Sequence, residues 1–194
     1  GQEWLPEFDS WGELIFAVGH HGAEVARITN AAGMAEIALQ GAQVLTWAPA
    51  GQPVVVWLSP AARFAAGKSL RGGAPVCWPW FGPHPEDPAK PGHGFARNLD
   101  WQVVGAERAS GGTRVVLAFT PGAAQQALWP YQAELELAVT VGERLLLELT
   151  TRNTGTIPLN LTQALHTYFH VGDIAAARVE GLDGCEYIDK VDGS

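Results

Sequence analysis

Over residues 131–152 the sequence alternates apolar and polar side chains with a period of two. That pattern fits a strand with one dry face and one wet face, and no helix can satisfy it. The odd positions are Tyr131, Ala133, Leu135, Leu137, Val139 and Val141, while Gln132, Glu134, Glu136 and Thr140 occupy even ones. Val141-Gly142-Glu143 reads as a tight turn, after which Leu145, Leu147 and Leu149 alternate with Arg144, Glu148 and Arg152. A second hairpin is expected to join 101–109 to 113–119 through Ser110-Gly111-Gly112. Further strands are expected at 13–18, 24–29, 35–40, 43–47, 54–58, 159–171 and 177–180. Helix signals are confined to 120–128, where Thr120-Pro121 leads a stretch long enough for two turns. So many strands with short connections and almost no helix predict an all-β fold: one antiparallel β-sandwich domain spanning 1–194.

A chain of this length buries roughly 70% of its unfolded surface, enough for one core. Its apolar fraction of 47% is rich in Ala, so the core must lean on Val, Leu and the eight Trp. No run of about 18 apolar residues is present, so no transmembrane helix is expected. The net charge is −8, with only 12 Lys and Arg. Nucleic-acid binding needs a concentrated basic footprint, and this chain lacks one. The same charge repels anionic membranes, so any anion site has to be a local cluster of cations working against the overall field. Cys77 and Cys185 form neither a metal-type spacing nor a disulfide framework. The first residues show no basic-then-apolar leader pattern, and a cytoplasmic monomer is the expectation. Residues 181–194 contain no closing strand or capping element, so the domain is expected to be incomplete at its C-terminus.

The densest chemistry lies in residues 71–98. Arg71-Gly72-Gly73 leads into Cys77-Trp78-Pro79-Trp80-Phe81-Gly82, and His93-Gly94-Phe95-Ala96-Arg97-Asn98 follows a proline-rich bridge. Gly and Pro break this stretch too often for a regular element, and ordering such a loop is costly. Its Trp, Arg and His content points to a binding surface rather than a connector. Arg71 and Arg97 offer forked donors that suit a phosphate or a vicinal diol, and both also suit ordinary structural ion pairs. Trp78, Trp80 and Phe81 are candidates for stacking on the apolar face of a sugar, and equally for core packing.

Farther on, Leu165-His166-Thr167-Tyr168-Phe169-His170 places His166, Tyr168 and His170 on one face if the segment is extended. His166 is a general acid/base candidate, a solvated histidine at a sheet end, or one of a pair of metal ligands. The metal reading lacks a companion motif, and no metal is expected. His84 reads as part of a polar loop, and His20-His21 as a turn.

Taken together and in order, these segments resemble the glucose-6-phosphate 1-epimerase (hexose-6-phosphate mutarotase) branch of the aldose 1-epimerase-like proteins. The matching pieces are 71–73, 77–82, 93–98, 165–169 and 181–190. The resemblance implies a galactose-mutarotase-like β-sandwich that interconverts the α and β anomers of a hexose 6-phosphate, glucose 6-phosphate foremost, without a cofactor. It assigns the catalytic histidine to His166 and the sugar-phosphate pocket to Arg71, His93 and Arg97. It also implies a catalytic glutamate and a substrate-binding aspartate beyond residue 194; Glu180 and Glu186 do not match them. The chemistry suits a histidine, whose ordinary pKa near 6.5 lets it give and take a proton at neutral pH. Two alternatives stay open: a non-catalytic sugar-phosphate binding or sensing domain, and a mutarotase for unphosphorylated aldoses.

Overall fold

The computed structural model describes residues 13–193. Ten strands make up most of its regular structure. The alternating stretch forms β8 (Ala133–Val141) and β9 (Leu145–Asn153), antiparallel with Leu137 opposite Leu149. Ala133, Leu135, Leu137, Val139 and Val141 are buried, while the glutamates between them reach solvent. β6 (Gln102–Ala109) and β7 (Gly112–Phe119) form the second expected hairpin and complete a sheet of order β6-β7-β8-β9. A second antiparallel sheet runs β1 (Leu14–Val18), β2 (Glu24–Asn30), β3 (Gly33–Ala38) and β4 (Gln43–Pro49) in chain order.

The two sheets pack face to face. Ile28, Ile37 and Val44 of one meet Val115, Leu117, Leu135 and Leu137 of the other in a single cluster, each no more than 1% exposed. Each such side chain contributes about 1.5–3 kcal/mol by leaving water. Polar groups tie the layers together at one end. Asn30 Nδ2 donates to Thr113 Oγ1 at 2.9 Å and to the Val141 carbonyl at 2.8 Å, and Thr113 in turn donates to Glu13 at 2.9 Å. The outer face of the first sheet is covered too, by Ala62 and Leu70 packed on Val25, Ala38 and Leu45.

Where the sequence predicts strands at 54–58 and 159–171, the backbone is extended but its hydrogen bonds are shared among several partners. Only β5 (Val76–Cys77) and β10 (Ala164–Leu165) pair as regular strands. Beyond them the N–H of His166 donates to Pro75, that of Tyr168 to Gly73, and that of His170 to Val55. Trp57 N–H donates to Tyr168, and Gly73 N–H to Trp57. The bonds to Pro75 and Gly73 continue the β5–β10 register, and the partner changes to the 54–58 segment only at Tyr168 and His170. Gly73 sits at the crossing with φ +68°, and a β-carbon there would overlap the Val44 carbonyl. Residues 177–180 form no strand, and the expected helix shrinks to one turn, α1 (Ala123–Gln126).

Candidate functional site

The aromatic loop divides into an inner and an outer part. Trp78 is fully buried, edge-on to Trp129 at 4.9 Å and to Phe95 at 5.8 Å, with Nε1 donating to Thr151 Oγ1 at 3.1 Å. Trp80 is 4% exposed and donates to the Pro91 carbonyl at 2.7 Å. Both rings belong to the core, so the stacking role that the sequence allows for Trp78 and Trp80 is corrected to a structural one. Phe81 turns the other way. It is 44% exposed, with its N–H held by Thr162 Oγ1 at 2.9 Å.

Residues 91–97 return alongside this loop. Gly94, at φ +73°, lets the two backbones touch, and both Phe95 N–H (3.1 Å) and Ala96 N–H (3.2 Å) donate to the Trp78 carbonyl. One residue earlier, His93 is fixed by a reciprocal pair of bonds. Its N–H donates to the Gly82 carbonyl at 2.8 Å, and its Nδ1 accepts from Gly82 N–H at 3.0 Å. With Nδ1 used as an acceptor, the neutral ring carries its proton on Nε2. Burial pushes the His93 pKa below 6.5, and the charges of Arg97, His166 and Lys190 push the same way. At neutral pH His93 is therefore an uncharged donor held in one orientation.

His166 reaches the same place from the second half of the chain. Its exposed ring lies edge-on to His93 at 6.0 Å, 6.2 Å from Phe81 and 5.1 Å from Tyr168, centroid to centroid. The structure thus brings together His166, His93 and Phe81, residues separated by up to 85 positions. Arg97 stands behind them with one guanidinium nitrogen on the Gly92 carbonyl at 3.0 Å and its buried Nε without a partner. Burial raises the pKa of the Cys77 thiol while Arg97 opposes the rise, so Cys77 is a buried, protonated neighbour rather than a nucleophile. Arg71 is exposed, two residues before the Gly73 carbonyl that holds Tyr168. Among the described residues, no hydrogen bond, ion pair or ring contact joins its side chain to His93, Arg97 or His166. Nor does any carboxylate among the described residues pair with His93 or His166.

Tyr168 and Thr162 were not singled out as site residues by the sequence. Tyr168 had a signal in its two-residue spacing from His166, whereas Thr162 had none. A separate group, His20, His21 and Glu36, has potential ligand atoms within 4.8 Å of one another. His21 Nδ1 accepts from Ala23 N–H at 3.2 Å, which leaves the proton on Nε2, and Arg27 grips Glu36 at 2.8 Å. Those contacts oppose a cation there. The turn expected at His20-His21 is present, joining β1 to β2.

Fold and site together define a mutarotase-type β-sandwich. The structure superposes on a provisionally named mutarotase (YeaD) from Salmonella typhimurium with a TM-score of 0.78 and 35% identity, covering 86% of this chain and 54% of that one. A galactose mutarotase-like protein from Lactobacillus casei shares the fold alone, with a TM-score of 0.52 at 22% identity over 66% of this chain and 44% of that one. The sequence profile of the aldose 1-epimerase family matches residues 24–193, and the chain belongs to that family. A protein of Escherichia coli K12, provisionally named glucose-6-phosphate 1-epimerase, is 42% identical over 157 residues, which are 81% of this chain and 51% of that protein. The chain spans about half the length of the curated relatives it matches most extensively.

Proposed function

We propose that this chain carries the histidine side of the active site of a hexose-6-phosphate 1-epimerase, with glucose 6-phosphate as the expected substrate. The observation that carries the reading is the convergence of His166, His93 and Phe81 on one surface, with the Arg97 guanidinium behind them. In this account protonated His166 gives its proton to the ring oxygen while a carboxylate beyond Ser194 takes the proton of the anomeric hydroxyl. The bond between C1 and the ring oxygen breaks, and an open-chain aldehyde forms. Rotation about C1–C2 presents the other carbonyl face, and closure reverses both proton transfers. Positioned proton transfer of this kind contributes on the order of 10²–10⁴-fold.

His93 serves as a fixed Nε2–H donor to a substrate oxygen, a role that its lowered pKa favours, since the ring stays neutral where sugar phosphates are dianionic. Phe81 offers an exposed ring face to the C–H face of the sugar. Arg97 and Arg71 supply phosphate contacts.

NMR magnetisation exchange between anomers tests this reading, using the full-length protein with glucose 6-phosphate and with free glucose. Accelerated exchange of the phosphorylated sugar alone supports it. Binding without exchange would point to a sensing domain, and acceleration of free glucose alone to a mutarotase for unphosphorylated sugars.

A further inference from the structure

Lys190 lies 97 positions from His93, in a stretch whose neighbours are mostly exposed, yet its ammonium reaches the site. Nζ is 3.6 Å from where a β-carbon on Gly82 would stand, and Gly82 is the residue that clamps His93 through two hydrogen bonds. The approach is held by a turn. Asp189 accepts from Val191 N–H through its side chain at 2.8 Å and from Gly193 N–H through its carbonyl at 2.9 Å. Among the described residues no carboxylate pairs with Lys190, although the chain holds 20 acidic residues against 12 Lys and Arg. An unpaired ammonium and an arginine with a buried, unpartnered Nε thus both act on His93, the ring that Gly82 clamps. In a chain of net charge −8, two cations acting on one site residue suit a dianion.

We propose that Lys190 binds the phosphate group of the substrate together with Arg97 and thereby sets the preference for phosphorylated over free sugar. The proposal rests on the epimerase reading for its substrate, but its binding chemistry can be tested independently. The ammonium carries no proton to or from the reacting carbon. It acts on affinity and position, so its loss should raise KM and leave kcat nearly unchanged.

The test uses the full-length protein and its Lys190→Met and Lys190→Arg variants. Inorganic phosphate is the first probe, titrated while the histidine resonances are followed by NMR. Glucose 6-phosphate and free glucose are the second, each followed by anomer exchange. Lys190→Met should weaken phosphate binding and raise KM for glucose 6-phosphate by roughly 10-fold or more, with kcat within about 3-fold of wild type, because a charge-assisted hydrogen bond is lost. Lys190→Arg should recover most of that affinity, and free-glucose exchange should be the same in all three proteins. The His93 titration should move upward in Lys190→Met, since a cation that opposes its protonation is gone; Arg97 and His166 remain. A purely structural lysine would not produce that combination.

Phosphate affinity equal to wild type in Lys190→Met overturns the proposal, as does a wild-type protein that binds no phosphate. Lysine-dependent phosphate binding without anomer exchange would keep Lys190 and remove the epimerase reading. Normal exchange that ignores the lysine would do the reverse.

Discussion

Gly94→Ala should destabilise the fold more than most single-methyl changes, and the structure says why. Gly94 sits at φ +73°, a region that costs an L-residue roughly 1–2 kcal/mol. Its new β-carbon would overlap the carbonyl of Trp78 and the nitrogen of Pro79, which are backbone atoms and cannot swing aside. That same carbonyl accepts from both Phe95 and Ala96, at 3.1 and 3.2 Å, so moving it stretches two hydrogen bonds worth about 0.5–1.5 kcal/mol each. The expected loss is about 2–4 kcal/mol. Because His93 is the preceding residue, anomer exchange should fall as well. Urea unfolding followed by Trp fluorescence in the full-length protein measures the loss. Gly92→Ala is the control, since nothing lies within 4 Å of its β-carbon position, and it should change stability by less than about 0.5 kcal/mol. If Gly94→Ala unfolds within that same margin of wild type, the claim that these two backbones must touch is wrong.

Two further outcomes follow from the geometry. Burial holds His93 and His21 below 6.5, in His93 with help from neighbouring cations and in His21 against the pull of Glu36. Folded protein then binds fewer protons than unfolded protein below that value, so the urea midpoint should hold above pH 6.5 and fall as the pH drops toward 5. The fall should be shallower in His93→Gln, and a midpoint that rises on acidification would contradict the assignment. Residues 1–194 expressed alone should leave anomer exchange at its background rate, because no carboxylate among the described residues pairs with His166; activity matching the full-length protein would refute that.

The two hairpins 101–119 and 131–153 were legible because each has one face in the core. Burial of Leu135, Leu137 and Val139 beside half-buried glutamates is what an alternating sequence encodes. The segment at 159–171 was not legible as it stands, since it runs beside 73–77 as far as Tyr168 and then bonds to Val55, and no local pattern announces that change of partner. Even so, the expected face-sharing of His166 and Tyr168 survives, because extended backbone alternates its side chains whether or not a ladder forms. Trp78 and Trp80 were ambiguous for another reason. A buried Trp and a sugar-stacking Trp read alike in sequence, and the difference lies in which ring the loop turns inward. The turn at His20-His21 was legible, whereas the approach of Glu36 to within 3.8 Å of the His21 ring was not, because Glu36 lies on β3. Lys190 closes the matching piece 181–190, but nothing in the sequence ties it to the site, since only the return of a distant loop brings it to Gly82.

The central claim is that His166 moves the proton in anomer exchange. Magnetisation exchange on glucose 6-phosphate, comparing full-length wild type with His166→Asn, tests it most directly. The variant keeps a polar side chain of similar size and loses the proton donor. The rate should fall by about 10²–10⁴-fold while sugar-phosphate affinity stays within a few-fold. A variant that exchanges anomers at the wild-type rate would mean that His166 is a structural or solvated histidine and that the proposed mechanism is wrong.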